Sequence, residues 1–331
     1  MRVAFRTEGN HRQGMGDLMG SIALADECAK GADEILFLIS GGEEAIAAIT
    51  ERGYSYCAVA TFEAEQPILR AFRPDVILVN KLKSDPAYLQ ALKHLAGLVV
   101  TIDDDGDGAR HADLRVNVLY PVPGAVTDPR YIALRSEFQE VHQREKTIAR
   151  DVRELFITQG GSDTYGFTPV ILRSLERMGI RPRCTVVLGP AFQHERELAQ
   201  VLKESTLDLT VVRNTRNMAG LIGAADVAVT AGGLTMFELL CAGVPSLVVC
   251  AERFEIETAR RLEEAGAAVN LGFGGDLEEE RLAKAVDALA GDAPRRAQLS
   301  RRGKDLVDGQ GCTRIMELIR EHAAKHGVYP L

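Results

Sequence analysis

"VAVTAGGLTMFELLCAGVPSLVV", residues 227–249, decides the fold. Residues 227–230 form an apolar run that reads as a buried strand. Ala231-Gly232-Gly233 turns the chain. A helix runs from Leu234-Thr235 to Ala242, Gly243-Val244-Pro245 stops it, and a second apolar strand begins at Ser246. Strands this apolar, each coupled to a helix, belong to a parallel sheet covered on both faces. The two glycines let a ligand approach the backbone closely. The helix start offers unpaired N–H groups and the positive end of the helix dipole, which suit a diphosphate. Glu238, one turn in, is placed to accept hydrogen bonds from a ribose diol. The plainer alternative is a glycine turn with a carboxylate in the first helical turn.

The same alternation extends in both directions. Around that stretch, strands are expected at 154–158, 184–188, 209–212 and 268–270. Helices are expected at 168–178, 194–202, 218–224, 257–264 and 277–290. An earlier series places strands at 3–5, 34–39, 56–59, 76–79, 98–102 and 115–118, with helices at 18–30, 42–52, 67–72 and 87–95. A charged helical stretch, 136–151, joins the two series, and 294–326 is helical again. The reading is an α/β chain of two doubly wound parallel-sheet domains facing across a cleft, 1–145 and 152–310. A C-terminal helix follows at 311–331. At 331 residues, two domains also fit the size at which single cores stop growing.

Composition narrows the function. Hydrophobic residues make up 46% and charged residues 26%, ordinary for a globular protein. A formal charge of −8 argues against nucleic acid or an anionic membrane as the main partner. No apolar run is long enough to span a membrane, and the N-terminus lacks a signal-peptide core, so a cytoplasmic location is expected. Cys28, Cys57, Cys184, Cys241, Cys250 and Cys312 are scattered and form no CxxC pair. They read as reduced, buried thiols.

Several further stretches carry chemistry. "LFITQGGSDTYGFT" (155–168) is again strand, Gly-Gly, then helix, so Gly160, Gly161 and Ser162 are expected beside the 231–238 site. "VLGPAF" (187–192) puts Gly189 at a strand end, in a loop fit to cover a base or to be an ordinary turn. Met218 opens a short helix just before the key strand and is either a ligand contact or core. "VTIDDDGDGARHADLRVNV" (100–118) is acidic, but it lacks the full ligand set and closing Glu of a calcium loop. A strand-end turn with solvated carboxylates is expected there, with no metal. "RQGMGDLMGSIALADE" (12–27) places Gly14, Gly16 and Asp17 between the first strand and its helix.

Together, "GMGDLMGSIALAD", "VTIDDDGDGARHADLRVNVLYP", "YIALRSEF", "ITQGGSD", "MAGLIGAADVAVTAGGLTMFELLCAGVPSLVV" and "LVDGQGCTRIMELI" resemble the nucleotide-sugar hydrolases of pseudaminic-acid biosynthesis. They resemble equally the spore-coat polysaccharide biosynthesis proteins. The resemblance implies the two-domain GT-B architecture. It also implies a UDP-sugar donor held by the C-terminal domain, chemistry at the N-terminal glycine-rich loop, and no cofactor or metal. The donor set it points to is Gly14, Gly16, Gly160, Gly161, Ser162, Gly189, Met218, Gly232, Gly233, Leu234, Thr235, Glu238, Phe254 and Glu255. The sequence departs from the hydrolases where they carry a water-activating His, here Asp17, and a nearby Arg, here Gly20. Phe254-Glu255 stands where they carry Asn-Gln. Their tyrosine after the fourth strand has no match in "VNKLKSDP".

Asp17 therefore has three readings: a base for an acceptor hydroxyl, a helix cap, or a substrate contact without proton transfer. Lys81, Lys83, Arg12 and Arg253 are candidates to neutralise phosphate. Because the hydrolytic residues are missing together, the expected activity is an inverting GT-B glycosyltransferase of surface-glycan or nonulosonic-acid type. Its partners would be a nucleotide sugar and a glycan or protein hydroxyl. The alternatives are a nucleotide-sugar hydrolase and a donor-binding protein without catalysis.

Overall fold

The computed structural model describes residues 1–10 and 14–328. They divide into two compact units. The first gathers Met1–Asn10, Met15–Arg135 and the chain from Gln310 onward; the second holds Gly14 and Ser136–Gly309.

In the first unit, six strands form one parallel sheet in the order β3-β2-β1-β4-β5-β6. They are β1 (Arg2–Gly9), β2 (Glu34–Gly41), β3 (Ser55–Ala58), β4 (Val76–Asn80), β5 (Leu98–Ile102) and β6 (Leu114–Val116). Helices α1 (Gly16–Ala29), α2 (Glu43–Thr50), α3 (Phe62–Phe72) and α4 (Pro86–Leu92) connect them. Ala4, Leu38, Ile77, Val79 and Val99 from the strands pack with Leu69, Leu89 and Leu92 from the helices.

The second unit repeats this plan. Its strands are β7 (Glu154–Thr158), β8 (Arg183–Leu188), β9 (Asp208–Arg213), β10 (Val227–Thr230), β11 (Ser246–Cys250) and β12 (Val269–Phe273). They lie parallel in the order β12-β11-β10-β7-β8-β9. Read from β9, this is the 3-2-1-4-5-6 order of the first sheet. Both sheets thus have a switch point where the strand order reverses, beside β1 and β4 in one and β7 and β10 in the other. Ligands of open α/β sheets bind at the carboxyl ends of strands at such points.

The remaining helices of the second unit are α5 (Glu137–Gln143), α6 (Phe167–Leu175), α7 (Glu195–Glu204), α8 (Met218–Ala224), α9 (Leu234–Ala242), α10 (Glu255–Glu264), α11 (Glu279–Gly291) and α12 (Ala293–Leu306). Ile157, Val186, Val229, Leu247 and Val249 meet Ile171, Leu172, Leu282 and Val286 in its core. The last helix, α13 (Gly311–Lys325), returns to the first unit. Its Met316 Sδ lies 3.4 Å from Cys28 Sγ of α1.

Four expectations need correction. The charged 136–151 stretch is helical only over α5; beyond it, Lys146 extends to donate to the carbonyls of Gly223, 3.0 Å away, and Ala225, 2.6 Å away. The helix expected at 67–72 begins at Phe62 after an extended Thr61, and Pro67 sits inside it. Cys57, expected buried like the other thiols, is part-exposed because β3 is an edge strand; the helical 294–326 region divides into two helices, with Gly309 turning the chain between them at φ +76°.

Candidate functional site

The first unit builds its site at the carboxyl ends of β1, β4 and β5. Helix α1 starts at Gly16, and Asp17 lies in its first turn. The N-terminal cap residue is Met15, with no side-chain capping bond. The Asp17 carbonyl, by contrast, is held by two side chains. Asn80 Nδ2, at the end of β4, donates to it over 2.8 Å, and so does Ser21 Oγ. Gly20 lies beside this contact, and a Cβ there would meet Asn80 Nδ2 at 3.4 Å, an ordinary van der Waals distance. Asp17 is part-buried, and its carboxyl is pushed up to about 8. Desolvation is the main cause, followed by the negative charges of Asp103, Glu8 and Asp104.

Those neighbours revise the expectation of solvated carboxylates at 103–107. Asp103 and Asp104 are buried, while Asp105 and Asp107 are exposed. Asp103, with φ +48°, accepts the N–H groups of Val118 and Leu119 through one oxygen, each at 2.7 Å. Burial pushes its carboxyl up to about 7, against the pull of those two bonds. Asp104 accepts the Ser84 and Gly106 N–H groups at 3.0 and 2.8 Å, and the Ser84 hydroxyl. Backbone donors supplied by neighbouring loops make these positions structural. Among the described residues no group of three or more His, Cys, Asp or Glu converges to hold a metal.

Of the candidate cations, Lys81 pairs with Glu8 at 3.2 Å and lies over the Tyr88 ring. Lys83 is exposed. Arg253 pairs with Asp276 at 3.4 Å and stacks 4.5 Å from the Phe273 ring centroid. Arg12 lies outside the described residues.

In the second unit, β8, β7, β10 and β11 run side by side. Their following loops, carrying Gly189, Gly160–Ser162, Gly232–Gly233 and Ala251–Glu255, therefore leave one sheet edge together. The loops interlock. A Cβ on Gly189 would fall 2.4 Å from the Gly161 Cα, and Ala191 N donates to the Gly161 carbonyl at 3.0 Å. Ser162 is buried, and its hydroxyl lies 3.0 Å from that of Thr164.

Helix α9 begins at Leu234 after Gly233, with no side-chain cap, and Leu234 and Thr235 are part-buried in its first turn. Glu238 is 4% exposed in that helix, and Met218 is a part-buried first residue of α8. Phe254 is 40% exposed just ahead of α10.

Glu255 changes the picture of the glycine turn. One of its oxygens accepts the N–H groups of Gly232, Ala251 and Glu252, at 3.2, 2.7 and 3.2 Å. The Gly232 donor, expected to face a ligand, is thus taken by the protein's own carboxylate. A Cβ on Gly232 would meet the Glu255 Cβ at 2.7 Å. Burial pushes the Glu255 carboxyl up to about 7, opposed by its three backbone bonds.

Sequence reasoning also missed Asp163. It adopts φ +43°, and its two oxygens accept the Phe167 and Thr168 N–H groups at 2.7 and 2.9 Å, capping α6. An Asp four residues ahead of an apolar helix was the available signal. Asn80 carried no such signal.

Comparison with known proteins agrees with this architecture. Residues 154–310 match the glycosyltransferase family 28 C-terminal domain. The spore coat polysaccharide biosynthesis protein SpsG of Bacillus subtilis (strain 168) is 26% identical over 338 residues, 97% of this chain and 98% of the relative. MurG of Acinetobacter baumannii superposes with a TM-score of 0.65 at 14% identity, covering 97% of this chain and 100% of that one. UDP-GlcNAc 2-epimerase from Neisseria meningitidis, bound to UDP-GlcNAc, gives a TM-score of 0.66 at 12% identity over the same shares. The chain has the α/β GT-B fold, and residues 154–310 of its second unit are similar to the glycosyltransferase family 28 C-terminal domain.

Proposed function

We propose that this chain is an inverting nucleotide-sugar glycosyltransferase with a UDP-sugar donor, acting in polysaccharide biosynthesis. The second unit would hold the donor at the loops following β7, β8 and β10, with the diphosphate at the start of α9. There the positive helix end offsets the charge that grows on the leaving diphosphate. Asp17 would take the proton from the acceptor hydroxyl as its oxygen attacks the anomeric carbon and the bond to the diphosphate breaks.

The observation that carries this reading is the state of Asp17. It lies in the first turn of α1, and its carboxyl is pushed up to about 8 by burial and three negative neighbours. A base is most effective when its pKa lies near the working pH. The reading also rests on the family 28 match over residues 154–310 and on the relation to SpsG. No metal takes part in it.

The test is an NMR time course with UDP-N-acetylhexosamines, with and without glycan acceptors, beside Asp17→Asn. Acceptor-dependent UDP release that is lost in Asp17→Asn supports the transferase. Release of free sugar at the same rate without acceptor replaces it with a hydrolase. Donor binding with no turnover under any acceptor leaves a binding protein.

A further inference from the structure

Tyr165 sits outside the machinery described above, yet it is the most exposed large hydrophobic residue of the described chain, at 52%. Its loop is firmly built. Asp163 is held in the left-handed region at φ +43°, and Gly166 follows at φ +71°. Both Asp163 oxygens are committed to the first turn of α6. The Thr164 carbonyl lies 3.3 Å from His194 Nε2. A non-glycine residue in this conformation costs of order 1 kcal/mol or more and persists only where its surroundings enforce it.

The ring itself is backed on one side. Phe167 stacks against it at 5.7 Å and 23°, and Phe273 meets it edge-on at 6.3 Å. Its hydroxyl donates to Glu252 at 3.2 Å, which fixes the ring's rotation. Phe273 is in turn covered by Arg253, which pairs with Asp276. The result is an exposed aromatic ring with the Glu252 carboxylate at its hydroxyl, continued through Phe273 to Arg253 and Asp276. It lies in the loop that carries Gly160–Ser162, and Glu252 belongs to the turn that holds Glu255 against Gly232.

We propose that the outer face of Tyr165 is a stacking subsite for a neutral pyranose ring. A pyranose presents a flat patch of axial C–H groups that packs on an aromatic face, rimmed by hydroxyls that both donate and accept. The Glu252 carboxylate at the edge of the ring can accept from that rim, and its negative charge favours a neutral sugar over an anionic one. A single ring face falls far short of the roughly 800 Å² per partner that a stable protein interface needs. The inference stands on the second unit alone and does not depend on the role of Asp17.

The experiment titrates the intact protein with N,N′-diacetylchitobiose, methyl β-galactoside and methyl α-rhamnoside, and separately with uridine monophosphate. Ring-current shifts and saturation transfer to the sugar C–H protons are followed by NMR. At least one saccharide is expected to show upfield-shifted axial protons. Tyr165→Ala should weaken that binding about tenfold, the size of one good aromatic contact. Tyr165→Phe and Asp17→Asn should retain it. Circular dichroism should show Tyr165→Ala folded at the temperature of the titration, its melt lowered only by the lost contacts with Phe167 and Phe273.

Four results overturn the proposal: no saccharide effect in the wild type, a saccharide effect indifferent to Tyr165→Ala, a Tyr165-dependent effect on the uracil protons instead of the sugars, or a Tyr165-dependent dimer in sedimentation. Failure of the glycosyltransferase reading would appear separately, as no turnover with the sugar shifts intact.

Discussion

The start of α1 and the start of α9 share a place in their sheets and differ in their surroundings. Each follows a strand at the switch point of a parallel sheet, and each opens an uncapped helix. The first turn is surrounded by negative charge from neighbouring strand ends, and its own Asp17 is pushed up toward neutrality. The second is made of two glycines, and a neighbouring loop supplies Glu255 to the N–H of Gly232. The backbone sets a helix start and its dipole; the side chains arriving from adjacent strands decide the charge that surrounds it.

The largest expected effect breaks the first turn. Asp17→Asn should lower kcat/KM by about 10²–10⁴, the usual contribution of a positioned base. It should leave UDP affinity, measured by calorimetry, close to wild type. In the wild type, kcat/KM should climb as pH rises through about 8, because the ionised carboxyl is the active form. A flat profile up to pH 9 would remove Asp17 from the chemistry.

Next in size is the packing of the second site. Gly189→Ala forces a methyl onto the Gly161 backbone, with neither side free to retreat. It should cost about 1–3 kcal/mol of stability, as overpacking does, and weaken UDP binding with it. A melting temperature unchanged from wild type would show that the two loops are not locked.

Glu255→Gln sharpens the comparison more gently. Above pH 7 the wild-type carboxylate repels a diphosphate placed at the start of α9; below it, protonation removes that charge. The variant should therefore bind UDP several-fold tighter at pH 8, an effect on the order of 1 kcal/mol, and match wild type at pH 6. Equal affinity at both pH values would place the diphosphate away from Glu255.

The smallest effect concerns stability. The Asp17 carboxyl is raised in the folded state, so its burial is tolerated fully below about pH 4 and increasingly opposed as pH rises toward 8. Asp17→Asn should raise the melting temperature at pH 8 by about 2–4 °C, the shift that goes with roughly 1 kcal/mol, and leave it unchanged at pH 4. A lower melting temperature at pH 8 would mean that the charged form is stabilised.

The sequence by itself determined the architecture. Twelve apolar runs alternating with amphipathic segments leave a parallel sheet with both faces covered as the arrangement that buries them. The turn 231–233 was legible because glycine before a helix has a local signature. Helix ends were less so: Pro67 inside α3 and the coil after α5 depend on what packs against them.

Only the tertiary structure decided which carboxylates are buried. Asp103 and Asp104 look like any acidic turn in the sequence, and backbone N–H groups from residues 84 to 119 make them structural. Asp17 can be read as a helix cap, and burial, with Asp103, Glu8 and Asp104 beside it, pushes its carboxyl up. Glu255 reads in the sequence as a donor contact, and Gly232, 23 residues earlier, is among the groups that give it a buried seat. Periodicity is a property of neighbours along the chain and can be read there. Burial and charge at one atom are sums over neighbours in space, and those arrive only when the strands are placed side by side.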